Sequence, residues 1–283
     1  MTTSKPKKYR LRDRPRVRTG LSILPSLFTI GNIFAGYYSI ASTLAGDYDY
    51  AAVAIGVGAV LDVLDGRIAR LTGTDSAFGV QLDSLADVVT FGIAPSVLAL
   101  NWGVSSLVDL PAEIFQDVVN FGWLATFGFL VSGTLRLARF NVIAQRPSDK
   151  SVSKRHFVGL PIPAGAGLIA AIVHFHKLPV VQVGSALLWC ILVTVLSFLM
   201  ISTVRYPSFK DVDLKKPLSR AALLGGAMLI GLIALYSEVT LLVIATCYVG
   251  SGPVSRISQA VRNRMPDPVE PPAPHTGSHG DVS

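Results

Sequence analysis

Eight apolar stretches, near residues 22–44, 50–71, 77–100, 118–142, 158–175, 182–204, 221–236 and 239–255, occupy most of this chain. Runs of about 20 apolar residues match the thickness of a bilayer, and inside one the backbone must satisfy its own hydrogen bonds, which for such segments means helices. The expected fold is therefore all-α. It is a polytopic integral membrane bundle of six core transmembrane helices followed by a two-helix C-terminal hairpin. That last pair is short and joined by Ser237 and Glu238; a re-entrant pair is the alternative. A composition of 51% hydrophobic and only 15% charged residues, with a mean hydropathy of +0.52, excludes an ordinary soluble domain. The expected organisation is a basic tail over 1–20, a transmembrane domain over 21–258, and a disordered tail over 259–283 carrying Pro266, Pro268, Pro271, Pro272 and Pro274. The polar, basic first twenty residues do not form a signal-peptide pattern.

Orientation follows from lysine and arginine. Lys5, Lys7, Lys8, Arg10, Arg12, Arg14, Arg16 and Arg18 precede the first stretch and mark that end as cytoplasmic. Tracing alternate crossings puts Arg67, Arg70, Arg136, Arg139 and the segments 146–155, 205–220 and 256–264 on the same side. The opposite loops hold Asp47, Asp49, Asp109, Glu113 and Asp117 with a single basic residue, Lys177. Both termini are thus expected in the cytoplasm of a multi-pass protein of the cell membrane. The net charge of +7 is dispersed along one membrane face, so the expected partner is anionic lipid rather than nucleic acid. Cys190 and Cys247 fall mid-span and read as packing thiols, and His174 and His176 as interfacial residues at the outer end of a span.

Within this apolar chain stand four aspartates, Asp62, Asp65, Asp83 and Asp87. Intramembrane carboxylates are costly and functional by default, and four together repel one another unless cations lie between them. On a helix the i,i+3 and i,i+4 positions share a face. Asp62, Asp65, Gly66 and Ala69 form one stripe, and Gly79, Asp83 and Asp87 form a second. Two such stripes face to face make an oxygen-rich cage suited to Mg²⁺ or Mn²⁺, with no cysteine or histidine nearby in sequence. Gly66, Ala69 and Gly79 leave a smooth groove where a flat base or a diphosphate can approach the backbone.

The run D-V-L-D-G-R-I-A-R, eight further residues, then G-V-Q-L-D-S-L-A-D matches every specified position of D-x2-D-G-x2-A-R-x8-G-x3-D-x3-D. In this the chain resembles the CDP-alcohol phosphatidyltransferase family. The resemblance implies transfer of a substituted phosphate from a CDP-linked donor to an alcohol hydroxyl with release of CMP. It further implies a pair of divalent cations on Asp62, Asp65 and Asp83, with Asp87 as metal-associated residue and general base. Gly66, Ala69 and Gly79 would accommodate the cytidine, and Arg70 would contact phosphate or brace the aspartates. A homodimer is also implied by the family alone.

The acceptor rests on further strings. R-L-A-R-F-N (136–141), F-V-G-L-P-I-P-A (157–164) and M-I-S-T-V-R-Y-P-S-F-K (200–210) resemble the serine-transferring, phosphatidylserine synthase branch of that family. So does L-P-S-L-F-T-I-G-N (24–32), which adds Thr29 and Asn32 to the nucleotide and diphosphate side. The expected substrates are CDP-diacylglycerol and L-serine. Arg136, Arg139, Asn141, Arg205 and Lys210 are the candidate acceptor-binding residues, arginine because its fork suits a carboxylate. Glycerol 3-phosphate or an inositol phosphate is the alternative acceptor, for which Arg146, Lys154 and Arg155 could supply charge. Outside the class, the alternative is a cation-coupled transporter, although no second copy of the aspartate motif is present.

Overall fold

A computed structural model describes residues 23–72, 77–108, 110–145, 156–207 and 220–262. Its helices are α1 (Ile23–Ala45), α2 (Tyr48–Thr72), α3 (Ala77–Asp87), α4 (Ala94–Gly103), α5 (Ala112–Gln145), α6 (Ile162–His176), α7 (Val183–Ile201), α8 (Arg220–Leu235) and α9 (Ser237–Arg262). α3 and α4 are one continuous rod, joined by a π-helical stretch over Val88–Ile93. Counting that rod once, the described helices coincide with the eight apolar stretches and bear out the all-α membrane fold. Phe78–Gly103, Ala112–Val142, Val183–Ile201 and Ser237–Arg256 are long and apolar enough to cross a membrane, while α6 and Leu223–Leu235 of α8 are shorter apolar helices.

Two features depart from expectation. α5 is 34 residues long and continues past the predicted boundaries at both ends. The second is a small antiparallel hairpin, β1 (His156–Val158) against β2 (Arg205–Pro207), with Phe157 paired to Tyr206. It caps the bundle where spans were expected to begin at 158 and end at 204. Gly159, at φ 83°, turns the chain out of β1 and donates its N–H to the Val204 carbonyl at 2.8 Å.

The helices pack as α1 on α2, α5 on α7, and α6 between α2 and α9. Phe91, Leu98, Phe129, Leu160, Ile162, Ile169, Leu196 and Met200 fill the centre, and Trp102 meets Trp189 edge-on at 4.9 Å. Large apolar side chains such as Phe34, Trp123, Phe127, Phe198 and Ile230 point outward, as a lipid-facing surface requires. Close approach of three helices is set by small residues around Thr90. A Cβ on Gly58 of α2 would lie 2.5 Å from Thr90 Cγ2 and 3.0 Å from Asn32 Oδ1, so only glycine lets α1, α2 and the π stretch converge here. Thr90 completes the junction by donating its hydroxyl to the Asn32 carbonyl at 2.8 Å.

At the far end of α2 from Asp62 and Asp65, a second polar group ties three helices. His174, ending α6, bonds through Nδ1 to Asp49 at the start of α2 and through Nε2 to Ser237 Oγ, at 3.0 Å, at the start of α9. Lys177 and Glu238 form an ion pair at 2.6 Å beside it. His174 is thus a cross-link between helices, a more specific role than interfacial placement. Cys190 is buried and Cys247 exposed, and both are free thiols.

Candidate active site

The carboxylates converge because α2 and α3 bring their polar stripes together. Asp62 of α2 and Asp83 and Asp87 of α3 each offer a carboxylate oxygen, all lying within 4.8 Å of one another. At that spacing, and an effective dielectric near 20, each ionised pair repels by about 3 kcal/mol. The arrangement is stable with the carboxylates ionised only if positive charge is supplied among them. Asp87 Oδ1 is buried and has no hydrogen-bond partner among the described residues, which leaves it available as a ligand atom. An all-oxygen donor set of this kind fits a hard divalent ion.

Asp65 is placed differently. It is buried, turns toward α1 and accepts a hydrogen bond from the Thr29 hydroxyl through Oδ2. The structure thus brings together three of the four predicted metal-site aspartates and holds the fourth beside them through a residue predicted for the nucleotide side. The i,i+3 step from Asp62 is what allows this. Asp65 is rotated about 60° around α2 from Asp62, enough to meet α1 while Asp62 meets α3.

Asn32 lies one turn beyond Thr29 on α1 and is only 1% exposed, yet neither polar atom of its side-chain amide has a hydrogen-bond partner among the described residues. It sits one helical turn deeper than the aspartates, against Gly58 and Thr90. Gly66 opens the other way. A Cβ there would meet none of the described residues within 4 Å. Gly79 is half-buried on the first turn of α3. Ala69 and Arg70 lie in α2, but their side chains are outside the described set.

The acceptor candidates separate. Arg136 of α5 is half-buried, lies within electrostatic reach of Asp87 and of Tyr248 on α9, and has a buried Nε without a hydrogen-bond partner among the described residues. Arg139, one turn further, is exposed. Asn141 donates through Nδ2 to Ser84 Oγ at 2.8 Å, tying α5 to the residue next to Asp83. Arg205 belongs to β2 with its side chain undescribed, and Lys210, Arg146, Lys154 and Arg155 lie outside the described residues, as do the tail 1–20 and residues 263–283, while 259–262, expected in the second tail, continue α9. Tyr248 was not singled out in the sequence, because one tyrosine in an apolar helix carries no spacing signal.

An acidic, oxygen-lined centre inside a polytopic helical bundle fits a membrane protein able to hold a hard divalent cation among its helices. Residues 22–197 match the model of the CDP-alcohol phosphatidyltransferase family, and the chain belongs to that family. It is similar to proteins named CDP-diacylglycerol–serine O-phosphatidyltransferase from several organisms. Identity is 35% over 193 residues with that of Helicobacter pylori (strain ATCC 700392 / 26695), covering 68% of this chain and 75% of the relative. With the Mycobacterium leprae protein it is 38% over 200 residues, 68% of this chain and 61% of the relative. With the Bacillus subtilis protein it is 34% over 190 residues, 67% of this chain and 93% of the relative.

Proposed function

We propose that this protein is a phosphatidylserine synthase, transferring the phosphatidyl group of CDP-diacylglycerol to the hydroxyl of L-serine and releasing CMP. The observation that carries the reading is Asp87. Its carboxylate belongs to the acidic cluster, carries a buried oxygen without a partner, and lies in electrostatic reach of the Arg136 guanidinium. One residue therefore stands at the meeting point of the donor-side acids and a cation able to receive an amino-acid carboxylate.

In this reading Asp62, Asp83 and Asp87 hold divalent cations, Mg²⁺ or Mn²⁺, with Asp65 oriented for the same purpose by Thr29. When bound, these ions neutralise the diphosphate and the leaving CMP. The chain's residues do the rest. The open backbone at Gly66 and the groove toward Gly79 receive the nucleotide, and Arg70 serves the diphosphate. Asn32, whose buried amide has no partner among the described residues, offers a donor and an acceptor to the same ligand. Arg136 orients serine through its carboxylate. Asp87 then takes the proton of the serine hydroxyl as its oxygen bonds to the phosphorus bearing diacylglycerol and the bond from that phosphorus to the CMP oxygen breaks. Residues 21–258 act as one catalytic domain, supported by the packing of α6 and β2 on α9. The site lies toward the cytoplasmic face, following the distribution of Lys and Arg. Anionic lipid around the basic segments and a homodimer complete the reading, the latter from family resemblance.

The test is a turnover assay of the purified protein with CDP-diacylglycerol and each candidate alcohol, following CMP release. L-serine is expected to be used in strong preference. Preference for glycerol 3-phosphate or an inositol phosphate would refute the serine assignment and leave the CDP-alcohol chemistry standing.

A further inference from the structure

Asp83 and Asp87 can share a cation with Asp62 only while α3 is rotated to aim both carboxylates at α2. Without the cation, like charge across that gap pushes the other way. The rotation also has to be accurate. A carboxylate oxygen lies about 5 Å from the axis of its helix, so a turn of about 20° displaces it by about 1.7 Å. Metal–oxygen distances tolerate about 0.2 Å. α3 is short, 11 residues, and runs directly into the π-helical stretch. A helix of that length with repelling groups on its working face needs to be held from another face.

Ser84 provides the hold. At about 100° per residue it points about 100° away from Asp83 and about 60° away from Asp87, toward a neighbour other than α2. That neighbour is α5, whose Asn141 donates through Nδ2 to Ser84 Oγ at 2.8 Å. Ser84 Oγ in turn donates to the Val80 carbonyl at 3.0 Å. A hydroxyl has one proton to give. Because it goes to Val80, Ser84 must accept from Asn141, and the orientation of the amide is settled by the same relay. Two hydrogen bonds thus run from the C-terminal end of α5 into the backbone of the α3 turn that leads to Asp83. Both side chains in the relay are half-buried.

We propose that Asn141 is a positioning residue for the metal centre, which by holding Ser84 fixes the rotation of α3 and hence the aim of Asp83 and Asp87. This rests on the reading of those aspartates as cation ligands. The string R-L-A-R-F-N then serves both halves of the reaction, Arg136 on the acceptor side and Asn141 on the metal side, with the Asn141 N–H group engaged by α3 rather than by the alcohol.

Mn²⁺ binding to the full-length protein in detergent, read by electron paramagnetic resonance, tests the proposal beside steady-state kinetics with L-serine varied at saturating Mn²⁺ and CDP-diacylglycerol. Asn141→Leu removes the amide at similar size, and Ser84→Ala removes its acceptor. Each is expected to weaken Mn²⁺ affinity about tenfold, the lower end of the range for residues that orient metal ligands, while the serine KM stays within about twofold. The double variant is expected to lose no more than either single one, because both changes break the same bond. Ser84→Thr keeps the hydroxyl and is expected to retain wild-type affinity. Unchanged Mn²⁺ affinity in the two single variants, full additivity in the double, or a tenfold loss in Ser84→Thr would overturn the proposal. So would a raised serine KM with Mn²⁺ affinity intact, which would make Asn141 an acceptor contact. If Asn141→Leu does not fold, Ser84→Ala decides alone. A wild-type protein that binds no Mn²⁺ refutes the reading of the aspartates and the proposal with it, whereas wild-type binding that both variants retain refutes the proposal only.

Discussion

Replacing Thr29 by valine is the sharpest probe of how the acidic centre is assembled. The side chains are nearly isosteric, and Thr29 is 3% exposed, so packing is preserved and the change removes only the hydroxyl that binds Asp65. Asp65 is itself 6% exposed, which leaves little water to replace that bond. A hydrogen bond to a charged partner contributes about 1.5 to 3 kcal/mol. If that energy orients Asp65 toward the cations held by its neighbours, its loss should weaken divalent-ion affinity by about 10- to 100-fold, the range for residues that orient metal ligands. Mn²⁺ titration followed by electron paramagnetic resonance reads the affinity directly, without turnover. CMP release against Mg²⁺ concentration should show the same rightward shift, with the maximal rate largely recovered at saturating metal. Thr29→Ser, which restores the hydroxyl, should recover most of the affinity. Unchanged Mn²⁺ affinity in Thr29→Val would refute the reasoning and remove Asp65 from the metal site.

Further outcomes follow from the same geometry. EDTA should abolish CMP release and Mg²⁺ or Mn²⁺ restore it; activity that survives complete metal removal would contradict the metal-assisted reading. Asp87→Asn should collapse turnover while CDP-diacylglycerol binding, measured by calorimetry, largely survives, and a loss of both would assign the residue chiefly to metal binding. Arg136→Lys should raise the serine KM while Arg139→Lys leaves it near the wild-type value, since Arg139 is exposed; equal effects would contradict this separation. His174→Ala removes bonds to Asp49 and Ser237, so a loss of about 2 kcal/mol is expected, read as a melting temperature lower by about 5 °C. An unchanged melting temperature would show that the His174 cross-link contributes nothing.

What could be read from the chain was what repeats or keeps a fixed spacing. Apolar length located the spans, because a bilayer imposes one thickness on every helix that crosses it. The four-residue step from Asp83 to Asp87 placed both in the cluster with Asp62, because helical spacing survives folding. Partnerships between distant segments carried no such signal. Nothing local in D-V-L-D-G says that Asp65 will turn to Thr29 while Asp62 turns to α3. The hairpin of β1 with β2 was hidden because its two strands are three residues each and lie far apart in sequence. Arg136 and Arg139 looked equivalent on one helix, and only the packing around α5 distinguishes them, Arg136 half-buried within reach of Asp87 and Arg139 exposed. The tie between β2 and α9, where the Tyr206 hydroxyl donates to the Val249 carbonyl four residues before Pro253, did leave a trace. A proline inside an otherwise helical apolar run announces an orphaned carbonyl, and it is the one signal from which Tyr206 could have been sought.

The π-helical stretch after Asp87 has a genetic consequence. A π turn stores one residue more than an α turn, so Val88–Ile93 is a place where the chain can lose a residue and still continue as unbroken helix. Such a deletion would return the stretch to α geometry with Asp83 and Asp87 still facing Asp62 and α4 still seated on Trp189, whereas the loss of one residue from the regular turn between Asp83 and Asp87 would swing Asp83 by about 100° away from its partners. Removing Val89 should therefore yield a protein that inserts and keeps CMP release, while removing Leu85 should yield one that inserts but is catalytically silent, a reading-frame logic written in helical register rather than in codons.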